Sequence, residues 1–128
     1  MEYKYNDGGR YYTDFRNKKS VSDCVVRSIA IATKQPYLVV WNDLFELGRD
    51  IGFMPNLPQC YSVYLKKHGF IKRKTPRFEN KKIRLMEWSH DLALVHTTRH
   101  LTCVIDNCVY DTGDPRLWCV NSYYSKEG

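Results

Sequence analysis

A chain of 128 residues, 43% hydrophobic and 14% aromatic, is sized for a single domain over 1–128 with its own core and is too short for two. Its longest apolar runs, such as 29–32 and 37–41, fall far short of the roughly 18 residues of a membrane span, and Met1-Glu2-Tyr3 does not open a secretion signal. Lys and Arg number 20 against 14 Asp and Glu, a net charge of +6 that suits nucleic acid, an acidic protein partner or solubility alike.

The expectation is a soluble cytoplasmic protein with no membrane partner. The 5 cysteines are odd in number and show no C-x-x-C spacing, so neither a disulfide framework nor a zinc knuckle is favoured. No cofactor is expected.

Tyr5-Asn6-Asp7-Gly8-Gly9-Arg10 reads as a structured loop, because Asn and Asp tolerate left-handed backbone and glycine adopts it freely. A polar stretch over 14–20 follows. Ser22 stands where a helix cap belongs, Cys24 falls in the first turn, and Val25, Val26, Ile29, Ala32 and Thr33 repeat at helical spacing. Gln35-Pro36 breaks the run. A second amphipathic helix carries Tyr37, Val40, Trp41, Leu44, Phe45 and Leu47, with Gly48 or Gly52 to end it. After the loop Pro55-Asn56-Leu57-Pro58, a third helix over 59–68 closes at Gly69 and buries Tyr61, Tyr64 and Leu65.

The period then changes. Alternation over 92–97, and β-rich runs at 101–105, 108–111 and 118–124, predict strands, with edge strands at 70–74 and 83–85. Asp106-Asn107 is a two-residue hairpin turn. Helices followed by an antiparallel sheet give an α+β class with N-terminal helices packed on a C-terminal sheet.

Counting outward from that turn pairs Ile105 with Cys108, Val104 with Val109, Cys103 with Tyr110 and Thr102 with Asp111. His100, Thr102 and Asp111 then share one face, within reach of a His100–Asp111 hydrogen bond. Such a carboxylate fixes the imidazole tautomer and presents the other ring nitrogen as a base, which a thiol nucleophile needs. Cys24 is the suited thiol, because a helix N-terminus favours its thiolate and lends its own N–H to an oxyanion. Cys60, Cys103, Cys108 and Cys119 read as buried free cysteines.

Two segments carry a resemblance: Tyr5-Asn6-Asp7-Gly8-Gly9-Arg10 followed by Asp23-Cys24-Val25-Val26-Arg27-Ser28-Ile29-Ala30-Ile31-Ala32-Thr33, and His100-Leu101-Thr102-Cys103-Val104-Ile105-Asp106 with Val109-Tyr110-Asp111-Thr112 and Asp114. The chain resembles a family of small uncharacterised phage and prophage proteins that look like minimal papain-like cysteine peptidases. The resemblance implies a papain-like cysteine-peptidase fold, a catalytic triad of Cys24, His100 and Asp111, a protein or peptide substrate, and a host cytoplasm as its place of work. It departs from the pattern at one point, since papain-type enzymes carry a Gln shortly before the nucleophile and this chain has Asn17, Lys18 and Lys19 there. Asn6 or Asn17 is the alternative oxyanion amide, set against a turn or capping role.

Lys72, Arg73, Lys74, Arg77, Lys81, Lys82 and Arg84 form a basic strip with Glu79 as its sole acid, and Lys72, Arg73 and Lys74 are the candidate binding residues. Nucleic acid is conceivable for it but not favoured, because no helix-turn-helix, zinc or RNP-type signature accompanies the charge. Metal binding by His96, His100 and Asp111 lacks enough well-placed ligands. Arg27 suits a substrate carboxylate or a salt bridge to Asp23. The leading expectation is a cysteine hydrolase acting through a thioester; the alternative is a non-catalytic binding module using the strip at 72–84 to engage a host protein or nucleic acid.

Overall fold

The structure, a computed structural model, describes residues 1–18 and 22–127. Among the described residues three α-helices, α1 (Cys24–Thr33), α2 (Tyr37–Ile51) and α3 (Pro58–Lys67), follow a short N-terminal strand. Eight strands are seen among the described residues: β1 (Glu2–Tyr5) ahead of the helices, and after them β2 (Phe70–Arg73), β3 (Arg77–Phe78), β4 (Lys81–Lys82), β5 (Leu92–Thr97), β6 (His100–Ile105), β7 (Cys108–Asp111) and β8 (Ser122–Lys126). Six form one sheet in the order β1-β7-β6-β5-β8-β2, and β3 and β4 pair separately. The class is α+β, as expected.

The sheet is mixed, which corrects the expectation of an antiparallel one: β1 runs parallel to β7, with Tyr3 opposite Val109 and Tyr5 opposite Asp111. Glu2-Tyr3-Lys4-Tyr5 alternates polar and aromatic residues, but over only four positions with most side chains exposed, and the pairing is made by backbone groups at the sheet edge. The last strand is shifted as well. It pairs with β5 and β2 over Ser122–Lys126, whereas Cys119 meets only Arg84 in an isolated bridge and is exposed rather than buried. The expected strand at 83–85 is absent because Leu85, fully buried, opens a 3₁₀ turn at Leu85–Glu87.

Helix ends follow local chemistry, with one adjustment at α1. Asp23, not Ser22, stands immediately before α1, and it makes no capping bond because its oxygens are engaged by Arg10 and Tyr37. Gly52, at φ 82°, ends α2, while Gly48 remains inside the helix. The polar stretch at 14–20 and the Lys18-Lys19 position lie partly outside the described residues.

α1 lies against β6, with Val26, Ile29, Val40, Leu44, Leu65, Leu94, Leu101 and Cys103 closing one core between helices and sheet. Ala93, Val95, Val104 and Val109 close a second core on the other face with Leu85 and Val120. The central strands are therefore buried on both faces, which explains why 92–95 is apolar at every position rather than alternating apolar and polar. Burying a Leu such as Leu44 contributes about 1.5–3 kcal/mol. These contacts hold the first turn of α1 at the end of the sheet where β6 begins.

At its N-terminal end α1 is met by the glycine loop. Gly8 has φ +70°, and a Cβ there would stand 2.7 Å from the carbonyl oxygen of Arg27, so only glycine lets the loop lie on the helix backbone. No helix among the described residues is long and apolar enough to cross a membrane.

Candidate active site

Cys24 is the first residue of α1, where backbone N–H groups have no intrahelical acceptor and the helix dipole favours an anion. His100 opens β6 and Asp111 closes β7. The turn between those strands has Asp106 at φ 48° and Asn107 at φ 61°, a type I′ geometry that sets the expected register: Ile105 opposite Cys108, Val104 opposite Val109 and Cys103 opposite Tyr110. His100 and Asp111 consequently meet on one face.

Nε2 of His100 lies 2.6 Å from Oδ2 of Asp111. The same oxygen accepts the Thr102 hydroxyl at 2.6 Å, and Oδ1 accepts the Thr112 backbone N–H at 2.7 Å. Nε2 being taken, Nδ1 is the nitrogen left for the thiol, and Cys24 stands with His100 and Leu101 in the wall of one cleft. Trp118 packs edge-on against the imidazole, ring centroids 5.5 Å apart.

Burial alone would hold Cys24 protonated, but His100, the Leu101 N–H and Arg27 outweigh it, and the thiol lies below its usual value. For His100 burial would favour the neutral ring; the hydrogen bond to Asp111 and the neighbouring Cys24 thiol overcome this and push it up to about 9. Burial opposes ionisation of Asp111 too, yet His100 and Thr102 hold its carboxyl below the ordinary range. The arrangement favours a thiolate beside an imidazolium, braced by a carboxylate.

A buried charge cluster supports the carboxylate from behind. Asp23 accepts Arg10 at 3.1 Å on both oxygens and the Tyr37 hydroxyl at 2.7 Å. Arg27 Nε lies 3.1 Å from Asp23 as an ion pair, while Nη1 donates to Thr112 Oγ1 at 2.5 Å and stands 3.8 Å from Asp111. Arg27 is thus spent on Asp23 and Asp111, the salt-bridge alternative of the sequence.

A cleft of about 320 Å³ opens at the thiol, lined by Cys24, His100, Leu101, His96, Arg99, Tyr61 and the Asn56–Pro58 segment. A smaller apolar cavity of about 230 Å³ shares Val25 and Asn56 with it and is walled by Trp41, Phe45 and Met54. Asn6 does not line the cleft, since its Oδ1 accepts the Gly8 N–H at 2.8 Å in the turn role, and neither does Asn17. Asn56 does. It was hidden in the sequence inside a Pro-flanked loop, and nothing local marks that loop as reaching Cys24.

The basic residues lie apart from the triad. Lys72, Arg73, Lys74 and Arg77 line a concavity of about 670 Å³ with His96, Asn121 and Ser122. Arg73 is partly committed to the fold, donating to Ser125 Oγ at 2.8 Å and the Lys126 carbonyl at 2.9 Å. Among the described residues no group of three or more His, Cys, Asp or Glu side chains is placed to hold a metal ion. Compared with protein-family models, curated proteins and solved structures, the chain finds no match.

Proposed function

We propose that this protein is a papain-like cysteine hydrolase that cleaves peptide, isopeptide or side-chain amide bonds. The carrying observation is the 2.6 Å contact of His100 Nε2 with Asp111, which leaves Nδ1 to a thiol at a helix N-terminus. Cys24 attacks the carbonyl carbon, and the negative charge moves onto the carbonyl oxygen. The Cys24 backbone N–H and the Asn56 side-chain amide are the donors for that oxygen, Asn56 replacing the missing Gln. His100 gives its proton to the leaving amine as the C–N bond breaks, and a thioester remains. His100 then takes a proton from water, whose oxygen displaces the sulfur and releases the acid.

A complex mixture of peptides incubated with the protein and read by mass spectrometry tests the reading. New termini or deamidated side chains are expected with the wild type and not with Cys24→Ser. Identical products from both, or none from either, would overturn it in favour of the binding-module alternative.

A further inference from the structure

Two concavities described separately above share a wall. His96, near the end of β5, lines both the cleft at Cys24 and the basic concavity of Lys72 and Lys74. Their other walls gather at the same end of the sheet: the close of β5, the start of β6 with His100, the start of β8 with Ser122, and the close of β2 with Arg73. Neither lining contains an Asp or Glu, and Arg99 adds a cation beside the thiol.

We infer that the two form one groove, and that the substrate segment it takes is an acidic stretch of polypeptide running from the basic concavity past His96 to Cys24. This rests on the hydrolase reading. Charge complementarity selects the occupant. Among the described residues Lys72 and Lys74 have no hydrogen-bond or ion-pair partner, so their ammonium groups are unspent, whereas Arg73 and Lys82 are held by Ser125, Lys126 and Asn121. The positive field reaches His96, whose ring is kept neutral by burial and by Lys72 and Lys82. A neutral imidazole there donates one hydrogen bond and accepts another, which suits a peptide backbone between a charged segment and the reacting carbonyl. Nucleic acid fits less well. Single strands bind on aromatic platforms, and the basic concavity has no Phe, Tyr or Trp in its wall.

The test uses two chloroacetamide-bearing peptides, identical except for a block of Asp in one and Asn in the other, each made with the block on either side of the warhead. Alkylation of Cys24 is followed by mass spectrometry. The Asp peptide is expected to label Cys24 roughly tenfold faster at low salt, an advantage that added salt erodes. In the doubly substituted Lys72→Gln, Lys74→Gln protein the ratio should fall toward one.

If Cys24 outpaces Cys119 with both peptides alike, the hydrolase reading stands and the acidic-segment inference falls. Should Cys24 react no faster than Cys119 with either peptide, the hydrolase reading itself fails and takes the inference with it. Suppression of Asp-peptide labelling by a single-stranded oligonucleotide, but not by poly-aspartate, would overturn the inference in favour of nucleic acid.

Discussion

Thr102 and Asp111 face one another across the β6–β7 hairpin, and the Thr102 hydroxyl donates to the same carboxylate oxygen that His100 approaches, both at 2.6 Å. Thr102 is fully buried, so no water can take its place when the hydroxyl is removed. Thr102→Val should therefore cost about 1–3 kcal/mol, seen as a lower urea midpoint with unchanged slope. A variant as stable as the wild type would show that this bond does not hold the carboxylate.

The triad also fixes a pH dependence of stability. His100 is raised from 6.5 to about 9, so the stability it contributes is complete below pH 6.5 and is lost as pH rises through about 9. Asp111 is lowered from 3.8, so its contribution is present above that value and is lost as pH falls through the lowered one. Both are complete between pH 3.8 and 6.5. Asp111→Asn should show its largest deficit in urea midpoint across that window and a shrinking one beyond it. A deficit constant with pH would contradict the coupling.

Asp23 is the hub of the buried cluster, with Arg10, Arg27 and Tyr37 all directed at it. Removing it leaves Arg10 without its counter-charge and Arg27 with only the 3.8 Å contact to Asp111. Asp23→Ala is expected to lose about 3–5 kcal/mol in denaturant titration. Wild-type stability in this variant would mean that water enters the cluster freely.

The thiols should divide by position. Cys24 is half-buried and Cys119 exposed, while Cys60 and Cys103 are fully buried and Cys108 is 6% exposed. Burial also pushes the Cys103 thiol up to about 12. An aromatic disulfide reagent should titrate Cys24 and Cys119 in the native protein and the remaining three only after unfolding. Fast native modification of Cys60 or Cys103 would contradict the packing.

What could be read in the chain was what is local. The run from Cys24 to Thr33 carries its own helical periodicity, and Asp106-Asn107 carries a turn that sets the hairpin register, so the meeting of His100 and Asp111 could be counted out in advance. Long-range placement was not legible. β1 alternates Tyr with Glu and Lys over only four residues and is held by long-range backbone pairing, Trp118 reaches His100 from a stretch that reads as a strand, and Asn56 reaches the cleft only because α2 and α3 pack as they do. Cys119 belongs to an apolar-looking run, yet a single bridge to Arg84 leaves it in solvent.

The central claim is an activated Cys24–His100 pair, and the most direct measurement is the pH dependence of iodoacetamide alkylation, read cysteine by cysteine in wild type and His100→Ala. Cys24 is expected to react below the ordinary thiol value of 9.0, to change rate again near 9 as His100 loses its proton, and to revert to ordinary behaviour without His100. A Cys24 profile matching that of Cys119, or one indifferent to loss of His100, would contradict it.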